Sequence, residues 1–287
     1  MSHYDHMLVS AHELQDRLRD PRLRVFDATT YLDRTPAGLR ARSGRSDYEA
    51  AHIPGAGFLD ITDLSDPDSP LPFTRPPASQ LERVLSSAGV SNDHHVVVYS
   101  RTHVMWATRA WWILRSVGLD SVAVLDGGFD TWQSAGCSLC NERCTYPETV
   151  FQARLREEMW ATKQDVLQAI EDGSVCTINA LPRDVHTGKA GLGYARAGHI
   201  KGSLNVPFPA LLMPESGVFR SADDLRLHFA TTGVLNTARA VTYCGGGIAA
   251  TLNAFAIVLL GHPSVAVYDG GLDEWSREPE LPMETGE

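Results

Sequence analysis

Ala240-Val-Thr-Tyr-Cys-Gly-Gly-Gly-Ile-Ala-Ala-Thr251 reads as a strand, a turn and the start of a helix. Ala240 to Tyr243 is a short apolar run of the kind buried in a parallel sheet. Cys244 ends it. Three glycines follow, and Ile248 to Leu260 is then almost unbroken apolar sequence, long enough for a buried helix. Glycine permits tight curvature and leaves no side chain in the way, so the backbone N–H groups of Gly245, Gly246, Gly247, Ile248 and Ala249 are expected to turn inward around the sulfur. The positive end of the helix favours a thiolate at Cys244, and the same cradle suits an anionic leaving group. A cysteine at a strand end is ordinarily a small buried hydrophobe. The glycines and the helix start behind this one make an activated nucleophile the stronger reading.

Working outward, the surroundings of this stretch occur twice. His52-Ile-Pro-Gly-Ala56 returns as His199-Ile-Lys-Gly-Ser203, and Val97-Val-Tyr-Ser100 as Val241-Thr-Tyr-Cys244. Val122-Ala-Val-Leu-Asp-Gly-Gly128 returns as Val265-Ala-Val-Tyr-Asp-Gly-Gly271, and Trp132 as Trp275. Order is preserved and the spacing between copies shrinks slowly, which is the mark of a duplicated domain with shorter loops in the second copy. Each half opens on a capped helix: Ser10-Ala-His-Glu13 has the capping-box form, and Thr162 precedes the stripe Val166, Leu167, Ile170. Strands are predicted at 23–26, 96–99 and 122–125, and again at 175–178, 240–243 and 265–268. Helices are predicted at 78–88 and 107–117, then at 222–231 and 249–260. Short apolar strands alternating with helices give an α/β fold, twice, each a mainly parallel sheet flanked by helices. The domains fall at 1–137 and 159–287, joined by a linker and lead-in segment at 138–158. Residues 35–45 read as a basic loop, and Asp66 to Pro77, with its prolines, as an irregular surface segment.

The chain has 287 residues, 43% hydrophobic, with a net charge of −10. An acidic balance argues against nucleic acid or an anionic membrane as partner. The N-terminus shows no basic and apolar export signal, and no apolar run reaches spanning length. Five cysteines in a chain this long fit reduced thiols in the cytoplasm better than a disulfide framework.

Tyr48-Glu-Ala-Ala-His-Ile-Pro-Gly-Ala56, Asp126-Gly-Gly-Phe-Asp-Thr-Trp132, Asp269-Gly-Gly-Leu-Asp-Glu-Trp275 and the Cys244 loop together resemble the tandem-domain rhodanese sulfurtransferases, which act on thiosulfate or 3-mercaptopyruvate. The resemblance covers nearly the whole chain. It implies two rhodanese-like domains, the first non-catalytic and the second catalytic. It implies an enzyme in which Cys244 takes a sulfane sulfur from a small anionic donor as a persulfide. The sulfur then passes to a thiophilic acceptor, cyanide or a thiol, with no metal or organic cofactor. Ser100 stands where Cys244 does in the second copy, in keeping with a silent first domain. A cysteine phosphatase would need an arginine six residues after the cysteine, and that residue is Ala250.

The second domain departs from the family where the donor is gripped. Asn179-Ala-Leu-Pro-Arg183 replaces the usual Asp-Ala-Arg, and Val185 stands where a further donor-binding arginine would be. Arg183 is the nearest substitute; Lys189, Arg196 and Lys201 are others. The uncharged Gly245 to Gly247 looks closer to the mercaptopyruvate type than to the thiosulfate type, yet lacks that type's serine, so the donor stays open. The missing arginines keep a second reading in play, a persulfide carrier or redox-sensing module with little turnover. Cys137, Cys140 and Cys144 form C-x2-C-x3-C, but no nearby histidine or cysteine completes a zinc set of typical spacing, so they read first as incidental linker residues, with a redox or sulfur-relay role and a metal site as the lesser readings. His52 and His199 read as structural, and His186 as a residue facing the site.

Overall fold

The computed structural model of the chain describes residues 7–35 and 38–286. Its contacts divide it into two units, Met1–Asp68, Arg75–Arg156 and Glu215–Phe219 in one, Ser69–Thr74, Glu157–Pro214 and Arg220–Glu287 in the other.

The first unit is built on a five-stranded sheet in the order Leu8–Val9, Val122–Leu125, His95–Tyr99, Leu23–Asp27, Gly57–Phe58. Every pairing is parallel. The second unit repeats it: Trp160–Ala161, Val265–Tyr268, Arg239–Tyr243, Val175–Asn179, Leu204–Asn205, again parallel throughout. The same strand order in both units is the duplication seen as topology. Parallel strands are covered on both faces, which is why their sequences read as continuous apolar runs.

The helices follow the pattern. Ser10 and Thr162 both close capping boxes, on helices Ala11–Arg17 and Lys163–Ala169. Val104–Ser116 and Ile248–Leu259 follow the two central strands and are buried almost all round; the second is apolar on nearly every face, and the first also buries Arg109. Trp132 and Trp275 are fully buried, and each indole N–H donates to a backbone carbonyl, of Ser138 at 2.9 Å and of Pro282 at 3.0 Å.

The segment expected as a basic loop is different. Thr30–Thr35 and Gly38–Ser43 pair antiparallel, and helix Arg45–Ala50 follows; residues 36 and 37 of that expectation lie outside the described residues. The Arg42 guanidinium lies 2.8 Å from Asp33 and 4.2 Å above the Tyr31 ring, cross-strand pairs that a count of glycines and charges does not reveal. Residues 66 to 77 carry no helix or strand, in keeping with their prolines.

Candidate active site

Cys244 sits at the C-terminal end of the central strand of the second sheet, where sites of open α/β sheets form. It is 3% exposed. The turn after it is shaped by Gly247, whose φ of 74° is left-handed and which caps helix Ile248–Leu259. A second glycine closes the other side. Gly271 has φ 51°, and a Cβ there would lie 2.5 Å from the Cys244 carbonyl oxygen. That approach lets Leu272 N–H donate to Cys244 O at 2.8 Å and Asp273 N–H to Gly245 O at 2.9 Å. The Asp-Gly-Gly turn of the next strand thus buttresses the Cys loop.

Burial pushes the Cys244 thiol up, and hydrogen bonds from the backbone N–H groups of Ala250, Gly246, Ala249 and Gly247 pull it back without cancelling the rise. Gly246, Gly247 and Ala249 donate to the sulfur, and Ala250, one residue beyond the expected loop, joins them. The thiolate favoured by sequence reasoning meets a larger opposing effect, because so little of the sulfur reaches water.

Two side chains beside the loop escaped the sequence reading. The Tyr194 hydroxyl crowds the space beside Gly245 Cα, and the charges of Cys244 and Asp273 both act on that phenol, after burial, to push it up. A Cβ on Gly246 would meet Asp273 Oδ2 at 3.2 Å. Burial raises the Asp273 carboxyl, and Arg277 opposes that rise. Asp273 could have been found inside the repeated Asp-Gly-Gly-x-Asp motif; nothing in the sequence around Tyr194 marks it.

The candidate cations divide. Arg196 spans the loop after Trp275 by donating to the carbonyls of Ser276 at 3.0 Å, Trp275 at 3.0 Å, Glu278 at 2.6 Å and Leu281 at 2.9 Å. It is committed to the fold. Arg183 opens the short helix Arg183–His186 and is exposed, as is Lys189; Lys201 is exposed beside Gly202. The charge of Arg183 is felt by His186.

Asn179 is fully buried behind the loop. Its Oδ1 accepts from Leu181 N–H at 2.9 Å and its Nδ2 lies 3.1 Å from His186 Nδ1. His186 is itself buried and stacked on His199 with centroids 3.7 Å apart, so it is a packed residue and not one facing solvent. The first unit shows what Asn179 replaces. There Asp27 is buried 3.6 Å from the Arg101 guanidinium, which also covers the Phe129 ring, and Ser100 occupies the nucleophile's place. In the second unit both charges are gone together, Asp27 for Asn179 and Arg101 for Gly245. A neutral amide keeps a buried negative charge away from a sulfur that has to ionise.

Comparison with known proteins agrees with this geometry. The rhodanese-like domain family matches residues 10–135 and 162–278. A 3-mercaptopyruvate sulfurtransferase of Escherichia coli is 34% identical over 96% of this chain and 97% of its own length. A thiosulfate sulfurtransferase of Rattus norvegicus is also 34% identical, over 97% and 94%. The crystal structure of the 3-mercaptopyruvate sulfotransferase SseA from Escherichia coli superposes with a TM-score of 0.83 at 32% identity, covering 93% of this chain and 99% of that one.

Proposed function

The chain belongs to the rhodanese family and is a sulfurtransferase, and we propose that it works through a persulfide on Cys244. The observation that carries this is the convergence of four backbone N–H groups on one buried sulfur at the end of the central strand, in the second unit only. The Cys244 thiolate attacks the sulfane sulfur of the donor. A bond forms between Cys244 Sγ and that sulfur while the donor's own bond to it breaks. Sulfite leaves from thiosulfate; from 3-mercaptopyruvate the enolate of pyruvate leaves and takes a proton. A cyanide ion or a thiolate then attacks the outer sulfur and returns Cys244 as thiolate, a ping-pong cycle. The N–H groups hold the negative charge at each stage, as donors aimed at developing charge do. The chemistry needs no cofactor.

Arg183 is the cation we assign to the donor. Its support is exposure at the end of the segment that carries Asn179, together with the commitment of Arg196 elsewhere. The two named relatives share the same identity with this chain, so likeness does not choose between their donors. The glycine loop without a cation favours the singly charged 3-mercaptopyruvate.

The test is intact mass of the reduced chain after each donor, beside Cys244→Ser. A gain of one sulfur that the variant lacks is expected. A variant that gains it equally overturns the proposal. The raised thiol and the absent arginines favour one rival, a persulfide carrier with little turnover; a stable persulfide without steady-state product would select it.

A further inference from the structure

His52, Cys140 and Cys144 meet in the first unit. One ring nitrogen and the two sulfurs lie within 4.8 Å of one another. Chain order hides this meeting, because His52 belongs to a motif 90 residues before Glu142, around which the two cysteines stand.

The junction is built. His52 N–H donates to Cys140 O at 2.7 Å and Cys140 N–H to His52 O at 2.8 Å, an antiparallel bridge that fixes the two segments. The His52 ring is fully buried and stacked on Tyr48 at 4.1 Å, so it cannot turn. Its Nδ1 lies 2.6 Å from the Tyr48 carbonyl, which can only accept. The tautomer with its proton on Nδ1 leaves the Nε2 lone pair for a cation held with the two cysteines. This is the second-shell arrangement that holds a metal-binding histidine in one tautomer. Each sulfur also receives a backbone N–H, from Glu142 at 3.3 Å for Cys140 and from Gly55 for Cys144. The Gly55 bond eases ionisation of Cys144, although burial and the neighbouring Cys140 raise that thiol overall; the thiolate is the form that binds metal.

One carbonyl faces all three side chains. The Glu142 carbonyl oxygen lies 3.1 Å from His52 Nε2, 3.3 Å from Cys144 Sγ and 3.9 Å from Cys140 Sγ. The carbonyl accepts from the two thiols while they hold their protons, and once the cysteines ionise it offers a cation an oxygen beside them.

We propose that His52, Cys140 and Cys144 bind one thiophilic d10 cation, Zn(II) or Cu(I), with the Glu142 carbonyl oxygen beside it. Two thiolates and an imidazole are the donor set these ions select. Zn–S bonds of about 2.3 Å and Zn–N bonds of about 2.0 Å require the three atoms to draw in by about 1 Å, which the partly exposed cysteines can supply. Binding displaces two thiol protons to solvent. Entry is through a cavity of about 300 Å³ lined by His52, Cys144, Tyr48, Phe58, Arg45 and Arg143. The ion would pin the segment after Trp132 to the body of the first unit, apart from any chemistry at Cys244.

The test uses the full chain, reduced and stripped with chelator. Titration with Co(II) should give one equivalent with a sulfur-to-cobalt charge-transfer band. Zn(II) and Cu(I), each against a competing indicator, should show which ion binds tighter. Cys140→Ser and Cys144→Ser should each weaken binding at least about 10-fold, while Cys244→Ser and Cys137→Ser leave it intact. Independently, bound Zn(II) should protect Cys140 and Cys144 of the unaltered chain from alkylation, read by peptide mass. Failure of the reduced chain to bind any of Co(II), Zn(II) and Cu(I) overturns the proposal. Binding that survives both serine variants, or that disappears only with Cys244→Ser, overturns it too.

Discussion

The Tyr194 hydroxyl occupies the space a Cβ on Gly245 would need. Gly245→Ala must therefore displace the far end of a flexible side chain. On the order of 1–3 kcal/mol is expected for such overpacking, and Gly245→Ala with Tyr194→Phe should recover part of the lost sulfur transfer. Gly271→Ala has no such escape. Its Cβ would meet the backbone oxygens of Cys244 and Gly245, at a φ of 51° that L-residues avoid. Thermal unfolding should rank Gly271→Ala well below Gly245→Ala; equal melting temperatures would contradict the buttress.

Asp273 sets a carboxylate beside the Cys loop, where a Cβ on Gly246 would lie 3.2 Å from Oδ2. Two negative charges on thiosulfate are repelled more than one on 3-mercaptopyruvate. Asp273→Asn should therefore raise kcat/KM for thiosulfate several-fold relative to 3-mercaptopyruvate, on the order of 1 kcal/mol for partly screened charges. Steady-state assays with both donors check it. An unchanged ratio would mean that the carboxylate does not face the donor.

The central strand, the Cys loop and the repeat were legible because they are local: apolar runs, glycine turns and recurring motifs lie along the chain. The N–H donors were legible only approximately. Which N–H groups face the sulfur depends on how the backbone turns at Gly247, and that turn brings in Ala250 beyond the expected loop. Tyr194 and the His52 cluster were invisible because they are assembled by tertiary contact. The hairpin Thr30–Ser43 was missed because its pairing rests on cross-strand partners such as Arg42 and Asp33. The sign of the Cys244 shift was missed because sequence shows the helix behind a cysteine but not how deeply the sulfur is buried.

His186 is buried against His199. Burial, then the charges of His199 and Arg183, push its pKa down to about 4. An unfolded chain takes up this proton near pH 6.5 and the folded one only near 4, so stability is whole above about pH 6.5 and falls as the pH drops through that window. The loss should reach up to about 3 kcal/mol by pH 4. His186→Gln should flatten the acid limb of the melting temperature between pH 6.5 and 4. A limb of unchanged slope would place the proton uptake elsewhere.

The Cys244 thiol carries the opposite sign. Its pKa is raised above 9.0 by burial, which the four N–H bonds offset only in part. At neutral pH the thiol form then predominates in the free enzyme. Alkylation of Cys244 by iodoacetamide should climb about tenfold per pH unit from 6 to 9, with no plateau. Persulfide formation should follow the same slope wherever attack on the donor limits it. Gly246→Pro removes one of the four N–H donors, and it should shift the profile further to alkaline pH if the chain keeps its fold by circular dichroism. A plateau near pH 7 in the unaltered chain would show that the cradle outweighs burial, and the reading of Cys244 as a suppressed thiol that ionises on meeting its donor would fall.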